Sequence, residues 1–131
     1  MKEKSTQTAH SQSRIRESTN YSINRIKAFA SGDQESTGEI LNSLIQSTAQ
    51  NMTLFSQYLA AKDYKSITEL AHKMLPMFRL LEAEAIVVQL AELEQNGMDE
   101  NYETDIESIG QSVLLKIKKL AATIKSDHHI H

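Results

Sequence analysis

Residues 39–81 read EILNSLIQSTAQNMTLFSQYLAAKDYKSITELAHKMLPMFRLL, and this stretch decides the fold. Leu41, Leu44, Ile45, Thr48, Met52, Phe55 and Leu59 recur every three or four residues. That spacing lines one face of an α-helix; a strand would need alternation. The spacing predicts one long helix to about Ala61. The following "KDY" is too short to connect anything but antiparallel neighbours. A second helix is predicted from about Tyr64 to Leu81, so the stretch as a whole reads as two antiparallel helices.

The same pattern extends outward. Downstream, "AEAIVVQLAELEQNG" predicts a helix ending at Gly97, a residue suited to the left-handed conformation after a helix C-terminus. After "MDEN", Ile106, Ile109, Val113, Ile117, Leu120 and Ile124 mark a last long helix. Its lysines 116, 118, 119 and 125 cluster toward the C-terminal half, where they complement the helix dipole. Upstream, Ser36 and Glu39 fit a capping box, and a start at Gln34 after Asp33 fits as well. "YSINRIKAFA" spaces Tyr21, Ile23, Ile26 and Phe29 as a short amphipathic helix, closed by the turn "SGD".

These elements predict an all-α protein, an up-and-down antiparallel four-helix bundle with a short additional N-terminal helix. Residues 21–125 form the bundle. Residues 1–20 carry almost nothing apolar to repay the entropy of ordering and are expected to be a flexible tail or linker. Residues 126–131 are expected to be a frayed C-terminal tail.

Composition supports this class. The 131 residues include 4 Gly and 1 Pro, with 5% aromatics, and are poor in strand and turn formers. There is no cysteine, hence no disulfide framework or thiolate metal site. The start lacks the apolar core of a signal peptide, and no apolar run approaches membrane-spanning length. A cytoplasmic location without membrane contact is expected. A net charge of −3 offers nucleic acid no general attraction.

His72 is the only histidine between the two ends of the chain, and the only proline, Pro76, follows four residues later. On a helical wheel with Ile67 at zero, Leu70, Ala71, Met74, Phe78 and Leu81 fall within about 60°, whereas His72 lies about 140° away and faces out. Lys65 and Arg79, seven positions before and after, share its direction within about 20° and lie about 10 Å along the axis on either side. Pro76 lies on the same outer face and leaves the carbonyl of His72 without its helical N–H partner. With Leu75 and Leu80, read as partly exposed, it makes an apolar surface beside the imidazole.

Other chemistries are less well served. A metal needs further ligands, and Glu69 is the one companion this helix face offers. Hydrolysis needs a positioned carboxylate or serine in a pocket, which a convex helical face does not supply. "DHHIH" at the C-terminus could hold a divalent metal through His128, His129 and His131, although an ordinary tail accounts for it. Met74 and Met77 need only core and rim packing to explain them. What remains is an exposed nucleophile whose partner brings the rest of the site.

In this setting the stretch "AHKMLPMFRLLEA" resembles the phosphoacceptor segment of histidine phosphotransfer domains of the two-component phosphorelay. The family pattern is Ala-His-x-Leu-Lys-Gly, then Gly-Ala some six residues on, then a helix of the type A-x-x-L-x-x-x-x-x-x-L-E. Ala71, His72 and Ala83 match it, and Met74 stands in for the Leu. "LAELEQNG" (90–97) is similar to the end of the following helix. "LAAKDYKSITEL" resembles the segment leading into the phosphoacceptor helix, and "AFASGDQESTGEILNSLIQS" resembles the first two helices, so the resemblance spans about 21–125. The family's Lys three residues after the His is Leu75 here, its Gly four after is Pro76, and its later Gly is Glu82. The variant is similar to that of large hybrid sensor kinases of Bacteroidetes.

The resemblance implies that His72 accepts a phosphoryl group from the aspartate of a response-regulator receiver domain and returns it to such a domain. The receiver would supply Mg²⁺ and its own Lys. The cations able to reach the phosphoryl group are Arg79, Lys73 and Lys65, and replacing Arg79 with Ala is expected to slow transfer. Glu69, Leu75, Pro76 and Leu80 are the expected docking residues. A monomer is expected, either free-standing or part of a hybrid sensor kinase. Sensor-kinase dimerisation hairpins fit less well, since an acid directly follows their His and Pro comes five residues later. The alternative from another class is an adaptor of this fold that binds a receiver or kinase without transfer, which the missing Lys at 75 favours.

Overall fold

The computed structural model describes residues 20–130; most are helical, and no strand occurs among them. Five helices follow in order: α1 (Asn24–Phe29), α2 (Gln34–Ala61), α3 (Tyr64–Leu80), α4 (Glu84–Met98) and α5 (Ile106–His128). The all-α class agrees with the hydrophobic periodicity. The tail expected over 1–20 lies, apart from Asn20, outside the described residues.

Three of the long helices start with the same device. Asp33, Asp63 and Asp105 accept hydrogen bonds from the backbone N–H of Ser36, Ser66 and Ser108 at 2.8, 3.2 and 3.2 Å. Each carboxylate satisfies an otherwise orphan donor and sits at the positive end of the helix dipole. Hydrogen bonding from Ser36 holds the Asp33 carboxyl below its usual range. For α2 the cap is therefore Asp33, with Ser36 the donor in place of the capping-box residue.

The helices also end alike. Ser31, Lys62, Glu82, Glu100 and His129 take positive φ between 51° and 57°. In each case the next residue donates its N–H to the carbonyl five positions back, from Gly32 to Lys27, Asp63 to Tyr58, Ala83 to Phe78, Asn101 to Asn96 and Ile130 to Lys125. These are Schellman turns built on residues other than glycine.

Gly97 is not one of these caps: it lies inside α4, and Glu100 takes the left-handed position instead. The need for glycine at 97 comes from the neighbouring helix, because a Cβ there would lie 2.6 Å from Thr68 Oγ1 and 2.7 Å from Thr68 Cβ. Gly97→Ala is expected to lower stability by about 1–3 kcal/mol through overpacking, despite alanine's better helix propensity. A thermal melt followed by circular dichroism checks it.

Over the described part of the expected frayed tail, residues 126–130, the chain departs from that expectation, and residue 131 lies outside the described residues. Helix α5 runs to His128, and the turn at His129 folds Ile130 back against the core. The Tyr21 hydroxyl donates to Asp127 Oδ2 at 2.6 Å and lies 3.2 Å from His128 Nε2. Burial, together with the Asp127 carboxylate, pushes the Tyr21 phenol well above its usual range. A long-range partner and a capped end order residues that composition alone marks as loose.

Each long helix packs on two others in a closed circuit, α2 on α3, α3 on α4, α4 on α5 and α5 on α2. The α3–α4 contact is the most extensive, while α3 and α5 meet only thinly across the middle. Phe55, Ile67, Phe78, Leu90, Val113 and Ile117 are among the buried residues that fill the centre. Helix α1 lies on α2 and inserts Ile26, which is fully buried, whereas Phe29 is 79% exposed. The apolar spacing placed Phe29 on the packed face. Phe29 is the last residue of this six-residue helix, whose one buried residue is Ile26. Among the described residues no helix is long and apolar enough to cross a membrane.

Candidate functional site

Helix α3 buries a wide arc. Leu70, Met74, Ile67, Phe78, Ala71, Leu75 and Thr68 are all buried, which on the wheel covers about 160°. A helix wedged between two neighbours, α2 and α4, buries more of its circumference than a single stripe. Leu75 is consequently 1% exposed. Read from sequence as a partly exposed docking residue, it is a core residue at the edge of this arc. Pro76 is exposed and Leu80 half-buried, so the outer apolar surface reduces to these two. Met74 is buried and Met77 half-buried, with Thr48 Oγ1 3.5 Å from the Met77 sulfur.

His72 stands just outside the buried arc, and its side chain is 71% exposed. Helix α3 runs through it without interruption from Tyr64 to Leu80, Pro76 included. The imidazole is not free to rotate: its Nδ1 is hydrogen-bonded to Glu94 Oε2 of α4, a carboxylate with 25% of its side chain exposed. Holding Nδ1 in this way directs Nε2 away from the helix pair toward solvent. The sequence reading named Glu69 as the one acidic companion on this face and expected a convex surface without a positioned carboxylate; the structure adds Glu94 and a shallow depression. His72, Lys65, Glu69, Lys73 and Glu94 line one shallow open depression between α3 and the end of α4. Met98 and Tyr102 form its apolar wall, and Met98 is 71% exposed.

Glu94 was missed because nothing local marks it, but a rule of hairpin geometry would have found it. Residues equidistant from the turn of an antiparallel helix pair face each other. His72 with Glu94, and Thr68 with Gly97, are both centred on residues 82–83, the turn between α3 and α4. The close approach that Gly97 permits at one level brings Glu94 within reach of His72 one turn further along.

The three cations named from sequence do not share one position. Lys65 and Lys73 line the depression with His72, while Arg79, also exposed, lies outside its lining. Glu69 lies within it. No cluster of three or more His, Cys, Asp or Glu that could hold a metal occurs among the described residues, the histidines at 128 and 129 included. The one side-chain hydroxyl next to the depression on α3, Thr68, donates to the Lys65 carbonyl at 2.8 Å. The imidazole of His72 is the exposed nitrogen base that lines the depression.

Compared with protein-family models, curated proteins and solved structures, the chain matches none of them.

Proposed function

We propose that this protein is a phosphohistidine carrier of the histidine phosphotransfer type, with the helices arranged as an up-and-down antiparallel four-helix bundle. It takes a phosphoryl group onto His72 from the aspartate of a receiver domain and passes it to another in two-component signalling. The observation that carries the reading is the mid-helix imidazole, its side chain 71% exposed and held at Nδ1 by Glu94. The backbone adds support. Glu82 takes φ 54° at the position where the resembled pattern has Gly, and the left-handed conformation is the one that favours Gly.

The chemistry follows from this geometry. With the Nδ1 proton donated to Glu94, the Nε2 lone pair is available to attack the phosphorus of an aspartyl phosphate in line. The N–P bond forms as the P–O bond to the aspartate breaks, and the bonding electrons leave with the carboxylate. The transition state is loose, so positioning and charge neutralisation do most of the work. Positive charge that develops on the ring faces the Glu94 carboxylate. Lys73 and Lys65 are placed to receive the negative oxygens of the transferred group through charge-assisted hydrogen bonds. The receiver would bring Mg²⁺, which neutralises the phosphoryl oxygens during transfer. The reaction would take place in the cytoplasm, with this chain acting as a monomer, alone or within a hybrid sensor kinase.

The test is incubation with a panel of receiver domains loaded by acetyl phosphate in the presence of Mg²⁺, following acid-labile, base-stable phosphate on this chain. Wild type is expected to be labelled and His72→Gln to lose the label entirely. Glu94→Gln loses a charge-assisted bond worth about 1.5–3 kcal/mol, which converts to a transfer rate about 10- to 100-fold lower. Receiver binding without label on the wild type would instead identify the transfer-incompetent adaptor, the reading that an apolar, buried Leu75 favours.

A further inference from the structure

A carboxylate accepts hydrogen bonds and cannot donate them, so in the contact between His72 and Glu94 the proton sits on the ring, at Nδ1. Among the described residues no lysine or arginine forms an ion pair with Glu94, and its one such partner is the imidazole. The Glu94 side chain is 25% exposed against 71% for His72, so the carboxylate stands on the drier side of the pair. Other charged or titratable groups surround the ring without bonding to it. Lys65, Glu69 and Lys73 of α3, with Glu100 and Tyr102 beyond α4, line the same depression. Helix α2, packed against α3, carries only Tyr58 between Glu39 and Lys62. Glu94 alone among them is hydrogen-bonded to the imidazole.

A proton held at Nδ1 has its largest effect once Nε2 carries a phosphoryl group. The ring is then a cation if it keeps that proton and neutral if it gives it to water. The two forms differ as phosphoryl donors. On the outward step an oxygen of an acceptor carboxylate attacks phosphorus; the new P–O bond forms, the P–N bond breaks, and its electron pair returns to Nε2. With Nδ1 protonated, the ring departs as neutral imidazole. Without that proton it must depart as imidazolate, a far poorer leaving group. An opposite charge next to a titrating group favours its charged form, and here that charge is the Glu94 carboxylate.

We propose that Glu94 holds the Nδ1 proton on phosphorylated His72 and so keeps the phosphoryl group ready to leave, making this chain a fast, reversible relay and not a phosphate store. The inference rests on the phosphocarrier reading above and concerns the return step. Glu94 acts through the ring and does not touch the transferred group. The same proton speeds attack by water, so the phosphorylated state of the free protein is short-lived at and above neutral pH.

The lifetime is measured without a partner by loading the chain with phosphoramidate, removing the donor, and following loss of phosphate from individual histidines by peptide mass spectrometry between about pH 5 and 9. The exposed His129 is the reference on the same chain. Loss from His72 should slow as pH rises, since the Nδ1 proton is given up, and this fall should come about one pH unit higher than at His129. Glu94→Gln can still hydrogen-bond the ring but carries no charge. It should move the fall at His72 back toward that of His129, so that phosphate is lost about three- to tenfold more slowly at pH 8. A melting curve shows that the variant is folded. An unchanged pH profile in Glu94→Gln, or a change of equal size at every pH, overturns the proton-holding role and leaves Glu94 a purely positioning residue. Transfer from loaded His72 to a receiver with Mg²⁺ should show the same shift. Failure of every receiver to take the group overturns the phosphocarrier reading, whatever the lifetimes. No label on His72 beside a labelled His129 overturns both proposals.

Discussion

Leu75→Lys, the change that restores the cation of the resembled pattern three residues after the histidine, is expected to destabilise the protein by about 3–5 kcal/mol. The expectation has two parts. Leu75 is 1% exposed, and withdrawing a leucine from full burial forfeits about 1.5–3 kcal/mol. The ammonium must then be desolvated in an apolar setting or reach the surface along its own stem, straining α3 at the edge where it meets its neighbours. A loss of this size is a large fraction of the total stability of a typical domain, about 5–15 kcal/mol. Urea denaturation with a linear extrapolation measures it, and Leu75→Met, expected to cost less than about 1.5 kcal/mol, is the control for volume. An unchanged midpoint for the lysine variant would mean that position 75 opens readily to solvent. If the loss is as large as expected, an i+3 cation is incompatible with this packing, and the phosphocarrier proposal would then rely on Lys65 and Lys73.

Pro76→Ala is expected to act in the opposite direction, stabilising the protein by about 2 kcal/mol. Pro76 is exposed within a helix that continues on both sides of it. An interior proline costs about 3 kcal/mol relative to alanine, because it cannot donate to the carbonyl four residues earlier and its ring crowds that turn. Alanine would restore the N–H bond to the His72 carbonyl. Part of the gain, about 0.4–1 kcal/mol, is offset because proline also restricts the unfolded chain. The expected shift is a higher melting temperature with unchanged helical signal at 20 °C. A lower melting temperature would show that contacts of the ring on this face outweigh the lost hydrogen bond. Should Pro76→Ala also slow phosphoryl transfer, the open carbonyl beside the nucleophile would be a functional feature retained at the expense of stability.

The two substitutions lie three and four residues after His72 on one helix yet respond to different physics, and the difference shows how far sequence reading reaches. Pro76 was placed on the outer face from the wheel alone, and it is exposed. Leu75, at about 80° from the centre of the predicted stripe, could not be placed in the same way. Its burial depends on how many neighbours flank α3.

The local chain determined the helices and the outward direction of His72. Periods of three and four residues set α2, α3, α4 and α5 close to their observed bounds, because side-chain direction in a helix follows from residue number alone. The Asp-x-x-Ser starts at 33, 63 and 105 are equally local, a carboxylate reaching a backbone donor three residues on. Tertiary structure decided the rest. Glu94 reaches His72 across 22 positions of chain, Arg25 reaches Arg79 across 54, and Tyr21 reaches Asp127 across 106. Gly97, which the local pattern suits to a helix end, is instead required by the side chain of Thr68. Such contacts depend on the distance and register between helices, which packing of whole faces sets and no short window of sequence encodes. The exposed imidazole is therefore legible in one helix, whereas its Glu94 partner is in reach only once α3 and α4 have met.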